Sequence, residues 1–334
     1  MSDAATPTQG HPPGLWICFF AELWERFCYY GMRALLAVYV ADLFLVQQSE
    51  ASLVYGAYTA LIYATGIFGG TIADRVLGFR RSIVLGGVVM ALGCFALALG
   101  DKNAFLLGLS LLIVGNGLFK PNISSLVGKL YKPGDPRRDG GFTIFYMGIN
   151  LGALLAPLAC AAVSRLFPKQ VPIAQLPPGM DKAPDYAAWV QQGFAELPDY
   201  RWGFLLAGVG MLLGVVTFRF GRERLEGQGL APAGKEGIGP IVQVALGCAL
   251  LTPFVYLLID HKQIAGYILL GLAAAVTGSL VWHSAQCFRD GDKVGGQRIF
   301  ALLFLLVANT VFWSAFEQAG NSLNFFARDY VHMI

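Results

Sequence analysis

Apolar residues fall in long unbroken runs, not in the alternation of a strand or the one-sided stripe of a soluble helix. Runs of spanning length cover residues 15–45, 51–73, 82–100, 104–130 (with one lysine), 142–164, 202–218, 237–259, 263–288 and 298–327. A bilayer core about 30 Å thick is crossed by about 20 helical residues, so the pattern predicts nine membrane-spanning helices. Two polar connections are long. Residues 167–200 are Pro-rich and mixed in charge, and residues 223–236 are Gly-rich and read as a linker between halves. Residues 1–14 lack a basic start and a cleavable apolar core, which excludes a secretory signal and predicts a short disordered tail.

The first run is the unusual one, because Glu22, Glu25, Arg26 and Arg33 lie near its middle. At about 100° per residue these four and Tyr29 occupy a sector roughly 100° wide, while the rest of the turn is apolar. A charge at a membrane helix centre costs roughly 2.5–3.5 kcal/mol, so four cost on the order of 10 kcal/mol unless they meet water, one another or a substrate. That face is expected to line a cavity.

Composition agrees with the pattern: 56% of residues are hydrophobic and 13% charged, which excludes a soluble protein. A net charge of +3 gives a nucleic-acid partner no electrostatic support. The placement of charge says more. Arg75, Arg80 and Arg81, then Lys129, Lys132, Arg137 and Arg138, then Arg219, Arg222 and Arg224, then Arg289, Lys293 and Arg298 occupy alternate connections. By the positive-inside rule these connections and the N-terminus are cytoplasmic, and Asp101, Asp185 and the 167–200 connection are outside. Cysteines 18, 28, 94, 160, 248 and 287 stand singly in apolar runs, and the four histidines are far apart, so no metal site or disulfide framework is indicated. No H-E-x-x-H or G-x-S-x-G occurs, which argues against an enzyme.

Polar residues recur on three helices. Lys120 precedes Pro121, which removes a backbone bond to the Gly117 carbonyl, and a lysine at this depth calls for an acidic partner. Asn150 lies on the fifth helix. Asn309, Trp313, Glu317 and Asn321 follow one another at spacing four on the last, with Gln318 and Asn324 nearby. If the seventh and eighth helices are an insertion, the charged helices become the first, fourth and seventh, the spacing of repeated three-helix units. Between helices two and three, Asp74, Arg75, Arg80 and Arg81 form a turn suited to latching neighbouring helix ends, with a lipid-facing basic turn as the other reading.

The strings E-x-x-E-R-F-x-Y-Y-G at 22–31, G-L-F-K-P-N-I-S-S-L-x-G-x-L-Y at 117–131, F-Y-x-x-I-N-x-G at 145–152 and F-W-x-x-F-E-Q at 312–318 resemble the proton-dependent oligopeptide transporters of the major facilitator superfamily. The resemblance covers nearly the whole chain. It implies an all-α integral membrane fold: a cytoplasmic tail 1–14, a six-helix bundle 15–222, a linker 223–236, two inserted helices 237–288 and the first helix of a second bundle, 298–334. The family has six helices in that second bundle, so a partial chain lacking five is expected. The implied activity is proton-coupled import of di- and tripeptides across the inner membrane, with protons as the coupling ion and no cofactor. A carrier for another small anion, or a uniporter, keeps the fold without the coupling acids. Carried over position by position, the coupling residues are Glu22, Glu25, Arg26, Lys120 and Glu317. The substrate pocket takes Tyr29, Tyr30, Arg33, Tyr63, Lys120, Asn150, Trp313, Glu317 and Asn321, and the loop motif is Asp74, Arg75, Arg80 and Arg81. The chemistry of these residue types is consistent with that role. A zwitterionic peptide needs a cation for its carboxylate, an anion for its ammonium, amide-capable groups for its middle and aromatic walls for its side chains.

Overall fold

The computed structural model describes residues 10–44, 46–176, 180–183 and 185–330. The six helices of the first bundle are α1 (Gly14–Phe44), α2 (Gln48–Ile72), α3 (Phe79–Leu97), α4 (Lys102–Lys129), α5 (Arg138–Leu166) and, after a short helix α6 (Tyr186–Gln192) in the connection, α7 (Tyr200–Gly221). Then come α8 (Gly239–Asp260), α9 (Lys262–Arg289), α10 (Lys293–Phe316) and α11 (Ser322–Tyr330). Among the described residues nine helical stretches are long and apolar enough to cross a membrane, at the nine places the apolar runs predict.

Helix α1 is central and packs against α2, α4, α5 and α7, so its charged face is enclosed by protein on nearly every side. Helices α3 and α4 approach closely through glycines. A methyl group on Gly86 would sit 2.6 Å from the Gly115 carbonyl, and one on Gly115 would sit 2.6 Å from that of Gly86. Gly93 and Gly108 repeat this reciprocity one heptad away, at 2.8 and 2.7 Å. In lipid, where burial gives little reason for helices to associate, such backbone proximity is what holds them together.

Three expectations need correction: the disordered tail, the helix-end latch and the unbroken last helix. The N-terminal segment is tied down from Gly10 onward: Arg137 Nη1 donates to the Gly10 carbonyl at 2.6 Å, and His11 Nδ1 meets the Tyr131 hydroxyl at 2.9 Å. Residues 1–9 lie outside the described residues. In the same turn Arg137 grips Asp135 through its backbone N, Nε and Nη2, and these bonds hold the Asp135 carboxyl low, at about 2.

The 223–236 linker is docked on the basic turn. Arg80 N donates to the Gly229 carbonyl at 3.0 Å, Arg80 Nε to that of Gln228 at 2.5 Å, and Arg81 Nη1 to those of Lys235 and Gly237 at 3.1 and 2.8 Å. Lys235 Nζ returns a bond to the Arg75 carbonyl at 2.8 Å. The basic turn therefore clasps the linker. Among the described residues the turn's side-chain bonds go to the linker and not to neighbouring helices, and Asp74 is exposed with no partner there.

The 167–200 connection is long enough to hold a small element, and it does. Strands β1 (Lys169–Pro172) and β2 (Phe194–Leu197) pair antiparallel, Lys169 opposite Leu197, beside α6. Finally, the last run is not one continuous helix. It breaks after Phe316 into a 3-10 turn at Glu317–Gly320 and resumes as α11, so the spacing-four stripe ends at Trp313. Residues 331–334 of the expected last domain lie outside the described residues.

Candidate substrate and coupling site

Three charged layers run along α1. The deepest joins Glu22, Glu25 and Arg26, all at most 2% exposed. Arg26 forks onto Glu25, Nε to Oε2 at 2.5 Å and Nη2 to Oε1 at 2.6 Å, and its Nε lies 3.4 Å from Glu22 Oε1. Consecutive residues can pair this way because the long guanidinium folds back against the shorter carboxylate. Asn116 of α4 completes the layer by donating Nδ2 to Glu25 Oε1 at 2.8 Å. Glu22 Oε2 is left buried without a hydrogen-bond partner among the described residues.

One helical turn on, Tyr29 forms the second layer. Its ring lies 4.8 Å from the Arg26 guanidinium carbon, 5.7 Å from that of Arg33 and 6.0 Å from Lys120 Nζ. Lys120 also stands over the Tyr63 ring at 5.5 Å. The acidic partner expected for Lys120 is not there: its ion-pairing atoms contact no carboxylate among the described residues, and ring faces take that place. A cavity of about 140 Å³ opens beside it, lined by Tyr29, Tyr63, Asn116, Lys120 and Pro121 among others. The α1 face therefore meets this cavity through Tyr29, while Glu22, Glu25 and Arg26 are sealed beneath it.

The third layer joins α1 to the end of α10. Arg33 Nη2 pairs with Glu317 Oε2, and Arg33 Nε donates to the Tyr55 hydroxyl at 2.6 Å. The Tyr55 hydroxyl in turn lies 3.4 Å from Glu317 Oε2. Two polar contacts flank the pair: Ser52 Oγ donates to Asn321 Oδ1 at 2.8 Å, and Asn324 Nδ2 to the Ala34 carbonyl at 2.5 Å. Together they close the end of the bundle opposite the arginine-rich turns.

Of the sequence-predicted residues, Glu22, Glu25, Arg26, Tyr29, Tyr30, Arg33, Tyr63, Lys120, Glu317 and Asn321 fall in these layers, Tyr30 edge-on to Tyr29 at 5.1 Å between ring centroids. Two do not join them. Asn150 is exposed on α5, and Trp313, 40% exposed, donates Nε1 to Asn309 of its own helix at 3.1 Å. Asn116, Tyr55 and Ser52 were missed. Asn116 lies four residues before Lys120, on the same helix face, and that spacing was the available signal.

The POT family model matches residues 80–334. The chain belongs to the POT family. Over 97% of its length it is 34% identical to the uncharacterized transporter YclF of Bacillus subtilis, covering 62% of that protein. It is 33% identical over 99% of its length to dipeptide and tripeptide permease B of Yersinia enterocolitica, covering 61% of it. Among solved structures, a peptide transporter POT in complex with sulfate superposes with a TM-score of 0.68 at 34% identity, over 97% of this chain and 62% of that one. Tetrameric PepTSo2 superposes with a TM-score of 0.75 at 26% identity, over 94% and 62%. The chain thus spans about three-fifths of the length of these POT relatives, and its helices have their fold.

Proposed function

We propose that the protein is a proton-coupled symporter that imports di- and tripeptides by alternating access, lying in the inner membrane with its N-terminus and arginine-rich turns in the cytoplasm. The observation that carries this reading is the Arg33–Glu317 pair, a cation and an anion on two different helices at the closed end of the bundle. A peptide's own carboxylate and ammonium can replace each member of that pair in turn. Lys120, held over two tyrosine rings beside a cavity, supplies a second cation for the carboxylate. The free oxygen of Glu22 offers the position at which a proton can bind in the sealed layer. The relatives named as peptide permeases and the POT structure solved with alafosfalin support the substrate class. Membership of a transporter family supports a carrier over an enzyme.

The test is uptake of labelled dialanine into liposomes carrying the protein. Accumulation above the external concentration is expected with an inward proton gradient and none without it. Equal uptake in both conditions refutes the coupling, and no saturable uptake refutes the substrate class.

A further inference from the structure

A second cavity, of about 730 Å³, opens at the arginine-rich end of the bundle between α3, α7, the start of α8 and the docked linker. Four arginines line it, Arg80, Arg81, Arg219 and Arg222, against a single acid, Glu236. Part of that positive charge is committed: Arg80 Nε and the Arg81 guanidinium hold linker carbonyls, and Glu236 Oε1 accepts from Gly234 N at 3.1 Å. The rest is not. Arg80 Nη2 is buried with no hydrogen-bond partner, and Arg219 and Arg222 make no hydrogen bond or ion pair among the described residues. The remaining accessible wall is aliphatic, Val84 and Val88 included.

Unpaired guanidinium donors favour an oxyanion, and their planar forks match phosphate oxygens two at a time. A soluble phosphate has no use for the apolar wall, whereas an acyl chain does. The cavity also lies where α3 and α8 begin and α7 ends, level with the headgroups of a bilayer. We propose that it is a binding site for the headgroup of an anionic phospholipid, with the phosphate on Arg80, Arg219 and Arg222 and the upper acyl chain along Val84 and Val88. A lipid seated there bridges α3, α7 and the linker that Arg80 and Arg81 clasp. The site is separate from the charged layers on α1 and does not depend on what the protein carries.

Native mass spectrometry of the detergent-purified protein, titrated with phosphatidylglycerol, phosphatidylcholine or inorganic phosphate, tests this. Phosphatidylglycerol is expected to be retained over phosphatidylcholine. The Arg219→Gln/Arg222→Gln variant, altered at two exposed side chains, is expected to weaken phosphatidylglycerol binding by about 25-fold, about fivefold per arginine. Its lipid-free melting temperature, measured in parallel, is expected to match that of the parent. A charge-matched Lys102→Gln/Lys262→Gln variant at the opposite end is expected to bind as the parent does. Equal retention of the two lipids, equal losses in the two variants, a lowered lipid-free melting temperature in the arginine variant, or displacement of phosphatidylglycerol by an equal concentration of inorganic phosphate would each overturn the proposal.

Discussion

At Glu22 the sealed layer is one hydrogen bond short. Arg26 spends two donors on Glu25 and lies 3.4 Å from one Glu22 oxygen, Asn116 serves Glu25, and nothing described reaches the other oxygen of Glu22. A static ionic cluster would be expected to satisfy that atom, since an unmatched buried polar group costs about 1–3 kcal/mol. Leaving it open makes sense for a site that gains and loses a proton. Glu22→Gln keeps the shape and removes the exchangeable charge, so gradient-driven accumulation of labelled dialanine is expected to vanish while exchange down a peptide gradient persists. Full accumulation by the variant would show that this acid is not essential to coupling. The acids and Arg26 were legible because charge inside an apolar run is costly and therefore conspicuous. Asn116 was marked only by its spacing of four from Lys120, because one neutral amide in an apolar helix is compatible with a helix contact, a backbone bond or a site. Lys120 was conspicuous for the same reason, but in place of the expected acid it meets the Tyr29 and Tyr63 ring faces: a tyrosine ring face can hold a cation and carries no mark of that role in sequence.

Element lengths and places were readable from hydropathy alone, yet the devices that join elements were not. The reciprocal Gly86–Gly115 approach depends on the register of two helices, which neither run specifies by itself. Gly115→Val would force the new side chain into the Gly86 backbone, and overpacking of this kind costs typically about 1–3 kcal/mol. A lowered melting temperature in detergent is expected, with little change for Gly247→Ala on α8, where an added methyl group meets nothing within 4 Å. An unchanged melting temperature for Gly115→Val would mean that α3 and α4 can separate without cost. The linker shows the same limit on reading a sequence. Its glycines announce flexibility, but Gly227, Gly229 and Gly234 adopt positive φ angles of 77°, 74° and 78° in turns that present carbonyls to Arg80 and Arg81. Side chain to backbone bonds leave no pattern in the segment that supplies the carbonyl. The break after Phe316 was likewise hidden, since Gln318 and Ala319 are as compatible with a continuing helix as with a 3-10 turn.

For the whole molecule, what matters is that the first bundle and α10 meet through charge at one end. The Arg33–Glu317 pair is nearly buried, its side chains 6% and 18% exposed, and such a pair adds little stability because desolvation offsets the attraction. Its arrangement suits partner exchange better than permanent fastening. Arg33 keeps the Tyr55 hydroxyl and the Tyr29 and Tyr30 ring faces if Glu317 leaves, so it is never bare. Glu317 keeps the Tyr55 hydroxyl nearby, and its Oε1, buried and without a partner among the described residues, can accept from an incoming ammonium. On the proposed function, a peptide that gave its carboxylate to Arg33 and its ammonium to Glu317 would favour the state in which α1 and α10 are apart, and that preference would link binding to opening. Acetylating the peptide N-terminus removes the cation and is expected to weaken binding by about 1 kcal/mol or more, the scale of an unmatched buried polar group. Glu317→Gln is expected to cause a similar loss for the free peptide but little further loss for the acetylated one, as measured by competition against a labelled peptide. Non-additivity of that kind is the signature of direct contact. Strictly additive losses would mean that Glu317 acts on Arg33 alone, and the ammonium would have to be placed elsewhere.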